Sequence, residues 1–208
     1  MIEFPDPSQA DADGLLAAGG NLQPETLLAA YGRGIFPWYA EGDPILWWSP
    51  DPRMVLFPVE FHCSRRLARR MRQDHYEISF DSAFEQVIRS CAEIPRKGES
   101  GTWIIPEMIQ AYQRMFAEGH AHSVEVWQQD QLIGGLYGVL HQSVFFAESM
   151  FSAQTDASKM ALAALCERGL REGWKLIDCQ FHTGHLQSLG AREISREQFL
   201  QVIAAKSG

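Results

Sequence analysis

Between residues 121 and 152 the chain reads AHSVEVWQQDQLIGGLYGVLHQSVFFAESMFS. Three runs of alternating or clustered apolar residues, near 122–127, 131–140 and 143–150, are separated by short turns at Gln129-Asp130 and His141-Gln142. Turns that short join antiparallel neighbours, so the segment predicts an antiparallel meander. DASKMALAALCERGLREG follows and predicts a helix over 157–172, capped by Asp156 or Ser158 and closed by Gly173. KLIDCQ (175–180) reads as a short, mostly buried strand and REQFLQVIAA as a last helix. Upstream, MVLFP and YEISF read as strands, while SAFEQVIRSCAEI and IPEMIQAYQRMFAEGH carry apolar residues at helical spacing. The fold class is therefore α+β with a mainly antiparallel sheet.

The first 55 residues have a different character. One short helix is expected at about 24–33, with Pro24 in its first turn and Gly34 closing it. The rest reads as loop, and Trp38, Trp47 and Trp48 fall within eleven residues of it. Such clustered aromatics serve either as core or as a binding platform. A small N-terminal domain over 1–56 and a larger one over 57–208 account for the change of pattern. The 208 residues suit that division. No stretch approaches the ~18–20 apolar residues that span a bilayer. No basic-then-apolar leader opens the chain, and Cys63, Cys91, Cys166 and Cys179 lack framework spacing. A cytoplasmic protein with reduced thiols, away from membranes, is the expectation.

With 18 Lys and Arg against 26 Asp and Glu, the net charge is -8, which argues against holding nucleic acid by bulk charge. The distribution is uneven. Residues 1–61 carry two basic and nine acidic side chains, and residues 62–208 carry 16 and 17. Arg65, Arg66, Arg69, Arg70 and Arg72 crowd into SRRLARRMRQ, which reads as a helix with Leu67 and Met71 on one face. With no carboxylate at i, i+4 these charges repel, so the run is either a solvated face or a phosphate-binding patch.

Asp178 and Gln180 alternate with Cys179 and so are expected on one side of their strand, with Cys179 facing away. A carboxylate and a carboxamide at the end of a buried strand need partners, and they are able to take a proton from an amine and orient a carbonyl. A structural hydrogen-bonded pair is the competing reading. Glu148 lies in the otherwise apolar FFAESMF, where an acid is costly unless paired or functional. Cys179, His182 and His185 make C-x2-H-x2-H without a second ligand pair at zinc spacing, so no metal is assigned. The loop FSAQTDAS contains no glycine and offers no cradle for a pyrophosphate.

The segments GLLAAGGNL, YGRGIFPWY, DPILWWSPDPR, GTWI, GHAHSVEVW, GGLYGV, ESMFS, ASK, KLIDCQ and HLQSLGAREI run in order from residue 14 to residue 194. Together they resemble the leucyl/phenylalanyl-tRNA–protein transferases. The resemblance implies a small N-terminal domain on an acetyltransferase-like (GNAT-type) domain. It also implies transfer of Leu or Phe, with Met in question, from aminoacyl-tRNA to the N-terminal Lys or Arg of a protein, which creates a degradation signal. It implies Asp178 and Gln180 as the catalytic pair, and Trp38, Trp103, Tyr31 and Glu148 around the terminal adenosine. Leu136, Phe145, Met150, Leu165 and Ile177 are implied as the side-chain pocket, with Gly169 where a relative has an aromatic. The arginines at 65–72 are implied as the acceptor-stem patch. An aminoacyl ester is already activated, so no cofactor is required, and one subunit suffices for one tRNA. The competing functions are an acyl-CoA-dependent N-acetyltransferase and a non-catalytic RNA-binding module. The acidic half of the chain suits a cationic acceptor terminus.

Overall fold

A computed structural model describes residues 3–73, 75–94 and 102–205. Of the segments above, Gly101 of GTWI lies outside the described residues. A seven-stranded sheet is built from β4 (Arg53–Leu56), β5 (Glu77–Phe80), β6 (Ala121–Gln128), β7 (Gln131–His141), β8 (Val144–Ser152), β9 (Leu176–Gln180) and β10 (Arg192–Ile194). Their order is β10-β4-β9-β8-β7-β6-β5, and every neighbouring pair is antiparallel except β8 and β9. The meander forms as expected. Its turns are made by Gln129, Asp130 and Gln142 at positive φ, the backbone sense that short hairpin turns require. The fold is thus α+β with a mainly antiparallel sheet.

Helix α5 (Ala157–Glu172) packs across β6–β8 on one face, with α2 (Arg65–Met71) beside it. The other face carries α3 (Phe84–Glu93) and α4 (Pro106–Ala117), together with α1 (Pro24–Tyr31) and α7 (Arg196–Ala204). Phe145 and Phe146 show the alternation at work, one in each core. Gly173 closes α5 in the left-handed conformation as expected. Asp156 does not cap it, because its carboxylate makes no bond to the helix amides. Helix α6 (Gly184–Ser188) and β10 had no sequence signal, being short and mixed in character.

The N-terminal segment is more regular than a loop. β1 (Leu15–Ala18), β2 (Phe36–Pro37) and β3 (Leu46–Trp48) form a separate sheet of order β1-β3-β2. Trp47 is buried there and donates its indole N–H to the Gly19 carbonyl at 2.8 Å. Two- to four-residue strands are too short to show a period, so the sequence reads as coil. Arg53–Leu56, at the end of the N-terminal segment, is a strand of the larger sheet. The apolar core runs on from the small sheet through Tyr31 and Phe36 to Phe146 and Phe199.

Candidate active site

Strands β8 and β9 pair only from Val144 to Phe146 and from Leu176 to Asp178, and beyond those residues they diverge. Several of the expected site residues line the gap. Tyr137 pairs with Ser149 and Gly138 with Ala147, leaving Glu148 as the extra residue of a β-bulge. A second bulge lies in β9, where Met54 faces Gln180 and Val55 faces Asp178, so Cys179 is unpaired. Gln180 ends the strand with φ 56°. Bulges re-aim side chains at sheet edges, and here two of them turn Glu148, Cys179 and Gln180 into the same gap.

Two compartments meet at these residues. The first is an aromatic slot of about 150 Å³ lined by Phe36, Trp38, Trp103 and Phe181. Trp38 is 41% exposed, and its ring lies 5.5 Å from Trp48 and 5.4 Å from Phe181. Trp48 donates its indole N–H to the Trp38 carbonyl at 2.6 Å, which anchors this wall. The second is a largely apolar pouch of about 780 Å³ whose lining includes Ala147, Met150, Leu162 and Leu186, with His185 exposed at its margin. Glu148, Cys179, Gln180, Thr183 and Leu186 line both.

Behind the gap lies a polar network. Glu148 accepts from the Tyr31 hydroxyl at 2.8 Å and the Tyr112 hydroxyl at 2.8 Å, and those hydroxyls are 2.6 Å apart. The Gln180 amide donates to the same carboxylate at 3.4 Å. Burial pushes the Glu148 carboxyl up to about 7, and the nearby Asp178 adds to the rise against the lowering effect of its hydrogen bonds. Both tyrosines are held well above the usual phenol range, chiefly by burial. Asp178 is fully buried and accepts two hydrogen bonds from Arg53, Nε to Oδ1 at 2.8 Å and Nη2 to Oδ2 at 2.6 Å. It also receives the Gln180 backbone N–H at 3.0 Å. Arg53 is itself buried, sandwiched 4.7 Å from the Phe36 ring centre and 4.6 Å from that of Phe199.

The expected residues fall into groups. Trp38, Trp103, Glu148 and Gln180 share the slot. Tyr31 stands behind it, fully buried and in contact with Glu148. Asp178 lines neither compartment and reaches them only through Gln180. Of the expected side-chain pocket, Met150 lines the pouch, whereas Leu136, Phe145, Leu165 and Ile177 lie beneath it in the core. Cys179 lines both compartments where strict alternation had turned it away, because the bulge at that residue breaks the period. Burial pushes its thiol up, which works against the thiolate form that a nucleophile needs. Gly169 packs against Pro58 and Trp174, away from the pouch lining. Arg53, Tyr112 and Leu162 were missed. Arg53 sat within the WWSPDPR segment, but its pairing with a residue 125 positions away has no local signal. Among the described residues, no three His, Cys, Asp or Glu side chains come together to hold a metal ion.

The site thus joins a flat aromatic slot to an apolar pouch, with the Gln180 carboxamide and the Glu148 carboxyl at the join, in an α+β protein. The chain belongs to the leucyl/phenylalanyl-tRNA protein transferase family, whose model matches residues 55–204, with the model of the family's N-terminal domain matching residues 20–51. It is 55% identical over 201 residues to the leucyl/phenylalanyl-tRNA–protein transferase of Syntrophobacter fumaroxidans, covering 97% of this chain and 86% of that one. It is 57% identical over 194 residues to that of Stutzerimonas stutzeri, covering 93% and 85%. Among solved structures it is similar to an aminoglycoside acetyltransferase from an uncultured soil metagenomic sample, with TM-score 0.42, 12% identity and coverage of 65% and 91%. It is also similar to a GCN5-related N-acetyltransferase from Kribbella flavida, with TM-score 0.44, 8% identity and coverage of 79% and 58%.

Proposed function

We propose that this chain transfers Leu or Phe from aminoacyl-tRNA to the N-terminal Lys or Arg of acceptor proteins, marking them for degradation. The carrying observation is the aromatic slot that opens into an apolar pouch at Gln180 and Glu148. An aminoacyl-adenosine end has the same two parts. Trp38 and Trp103 take the adenine, for which stacking contributes ~1–3 kcal/mol per base, and the pouch takes the Leu or Phe side chain. The N-terminal unit supplies one tryptophan and the larger unit the other, so the slot exists only when both are docked. One subunit holds the whole site, and the enzyme acts as a monomer in the cytoplasm.

The ester is aminolysed directly. The acceptor nitrogen bonds to the carbonyl carbon, the bond from that carbon to the ribose oxygen breaks, and one amine proton ends on that oxygen. The Gln180 carboxamide sits where it orients the carbonyl and stabilises the developing oxyanion. Asp178, pinned by Arg53, fixes the Gln180 backbone and acts through it. Glu148 is the carboxyl inside the cleft, and a value near 7 suits a group that must accept and return a proton at neutral pH. The loop FSAQTDAS ahead of α5 has no glycine and so offers no run of backbone N–H groups to cradle a pyrophosphate, which argues against an acyl-CoA donor.

The test is transfer of labelled Leu from charged tRNA to a peptide beginning with Arg, against one beginning with Ser. Labelling of the Arg peptide alone is expected, with Asp178→Asn reducing it at least ~100-fold. Absent transfer, or equal labelling of both peptides, overturns the reading.

A further inference from the structure

Asp156 occupies the position that normally caps α5, yet its side chain makes no bond to the helix amides. The Ser158 amide of the first turn goes instead to the Ser152 hydroxyl at 3.2 Å. Asp156 has φ 70°, a left-handed backbone that Asp and Asn adopt more readily than most residues. Its carboxylate is turned onto three cations from two helices: Lys159 Nζ at 2.9 Å, Arg66 Nη2 at 3.0 Å and Arg70 Nη1 at 3.4 Å. The same Arg70 nitrogen also donates to the Thr155 carbonyl. The Asp156 side chain is 5% exposed while that of Arg66 is 70% exposed, so a buried anion grips the base of an exposed cationic surface.

We propose that Asp156 is a positioning residue for the arginine face of α2, fixing Arg66 and Arg70 so that their remaining N–H groups meet phosphates of the donor tRNA. The inference rests on the tRNA reading above. Helix α2 has seven residues and buries only Leu67, so apolar packing alone holds it weakly. Each guanidinium spends one nitrogen on Asp156, out of five N–H donors in a rigid fork. Arg65, Arg69 and Arg72 have no ion pair among the described residues and complete the positive face. Three cations on one carboxylate leave the cluster positive. Asp156 thus supplies order to the patch at the cost of one unit of its charge.

Those two effects have opposite signs, which makes the inference testable with Asp156→Asn and Asp156→Gly, both compatible with the left-handed backbone. The KM for charged tRNA is expected to rise about fivefold as ordered guanidinium forks are lost, with kcat changing less than twofold. The rise is expected to persist at about 0.5 M salt, where the long-range gain from deleting an anion is screened. With aminoacyl-adenosine as donor, which has no phosphates to meet the patch, kcat/KM is expected to move less than twofold. Tighter or unchanged tRNA binding in both variants overturns the inference, as does equal loss with both donors, which would show a general structural role. If the unaltered enzyme transfers from neither donor, the tRNA reading itself has failed.

Discussion

Both Asp178 oxygens accept from Arg53 and Oδ1 accepts from the Gln180 backbone N–H as well, and Arg53 is buried with it between two phenylalanine rings. Removing either partner would strand a charge in the core, where the penalty is ~3–5 kcal/mol. Glu148 is in a different condition, because it is half-buried, has no ion pair among the described residues, and is pushed up to about 7 by desolvation. Its folded value of about 7 lies above the ordinary 4.5, so the folded state binds the extra proton between those values. Stability from this group is therefore present below about 4.5 and is lost as pH rises through about 7. Glu148→Gln, which stays neutral, is expected to flatten the pH dependence of urea-unfolding stability over that window, and an unchanged slope would contradict the assignment. Both acids stood out in the sequence because a carboxylate in an apolar strand is costly. What each touches was not legible, because Arg53, Tyr31 and Tyr112 lie far off along the chain.

At the scale of elements, the site depends on where strands stop obeying their period. Glu148 and Cys179 are the unpaired residues of two bulges, and Gly138 faces the first. A Cβ on Gly138 would run into the Phe146 carbonyl oxygen and lie 2.6 Å from the Phe145 ring, so the backbone of the neighbouring strand would have to shift. Gly138→Ala is expected to cost about 3 kcal/mol in chemical denaturation and to abolish transfer by displacing Glu148. A stable, active variant would show that the bulge is dispensable. The long elements were readable: β6–β8 and α5 repeat their period over eight or more residues each. The three strands of the N-terminal sheet, two to four residues long, were not, because the contacts that define them come from their neighbours.

For the whole molecule, a net charge of -8 would place the protein among those that avoid nucleic acid, yet α2 and its C-cap Arg72 concentrate five of its 18 basic residues. Two of the five are tied to Asp156, whereas Arg65, Arg69 and Arg72 have no ion pair among the described residues. Reversing those three to Glu is expected to raise the KM for charged tRNA at least tenfold. It should also flatten the salt dependence of binding by ~0.7–0.9 in log–log slope per lost phosphate contact. An unchanged salt slope would mark the helix as a solvated face. The sequence by itself determined the fold class, the extent of the meander and of α5, and the residue types available for chemistry. It could do so because hydrophobic period and the cost of buried charge are local properties. The tertiary structure alone decided that Asp178 accepts from the Gln180 backbone N–H, that Cys179 lines the cleft, that four of five expected pocket residues lie in the core, and that Asp156 grips the arginines. Each of these is set by bulges and by pairings between residues distant in the chain, for which no spacing along a sequence carries a signal.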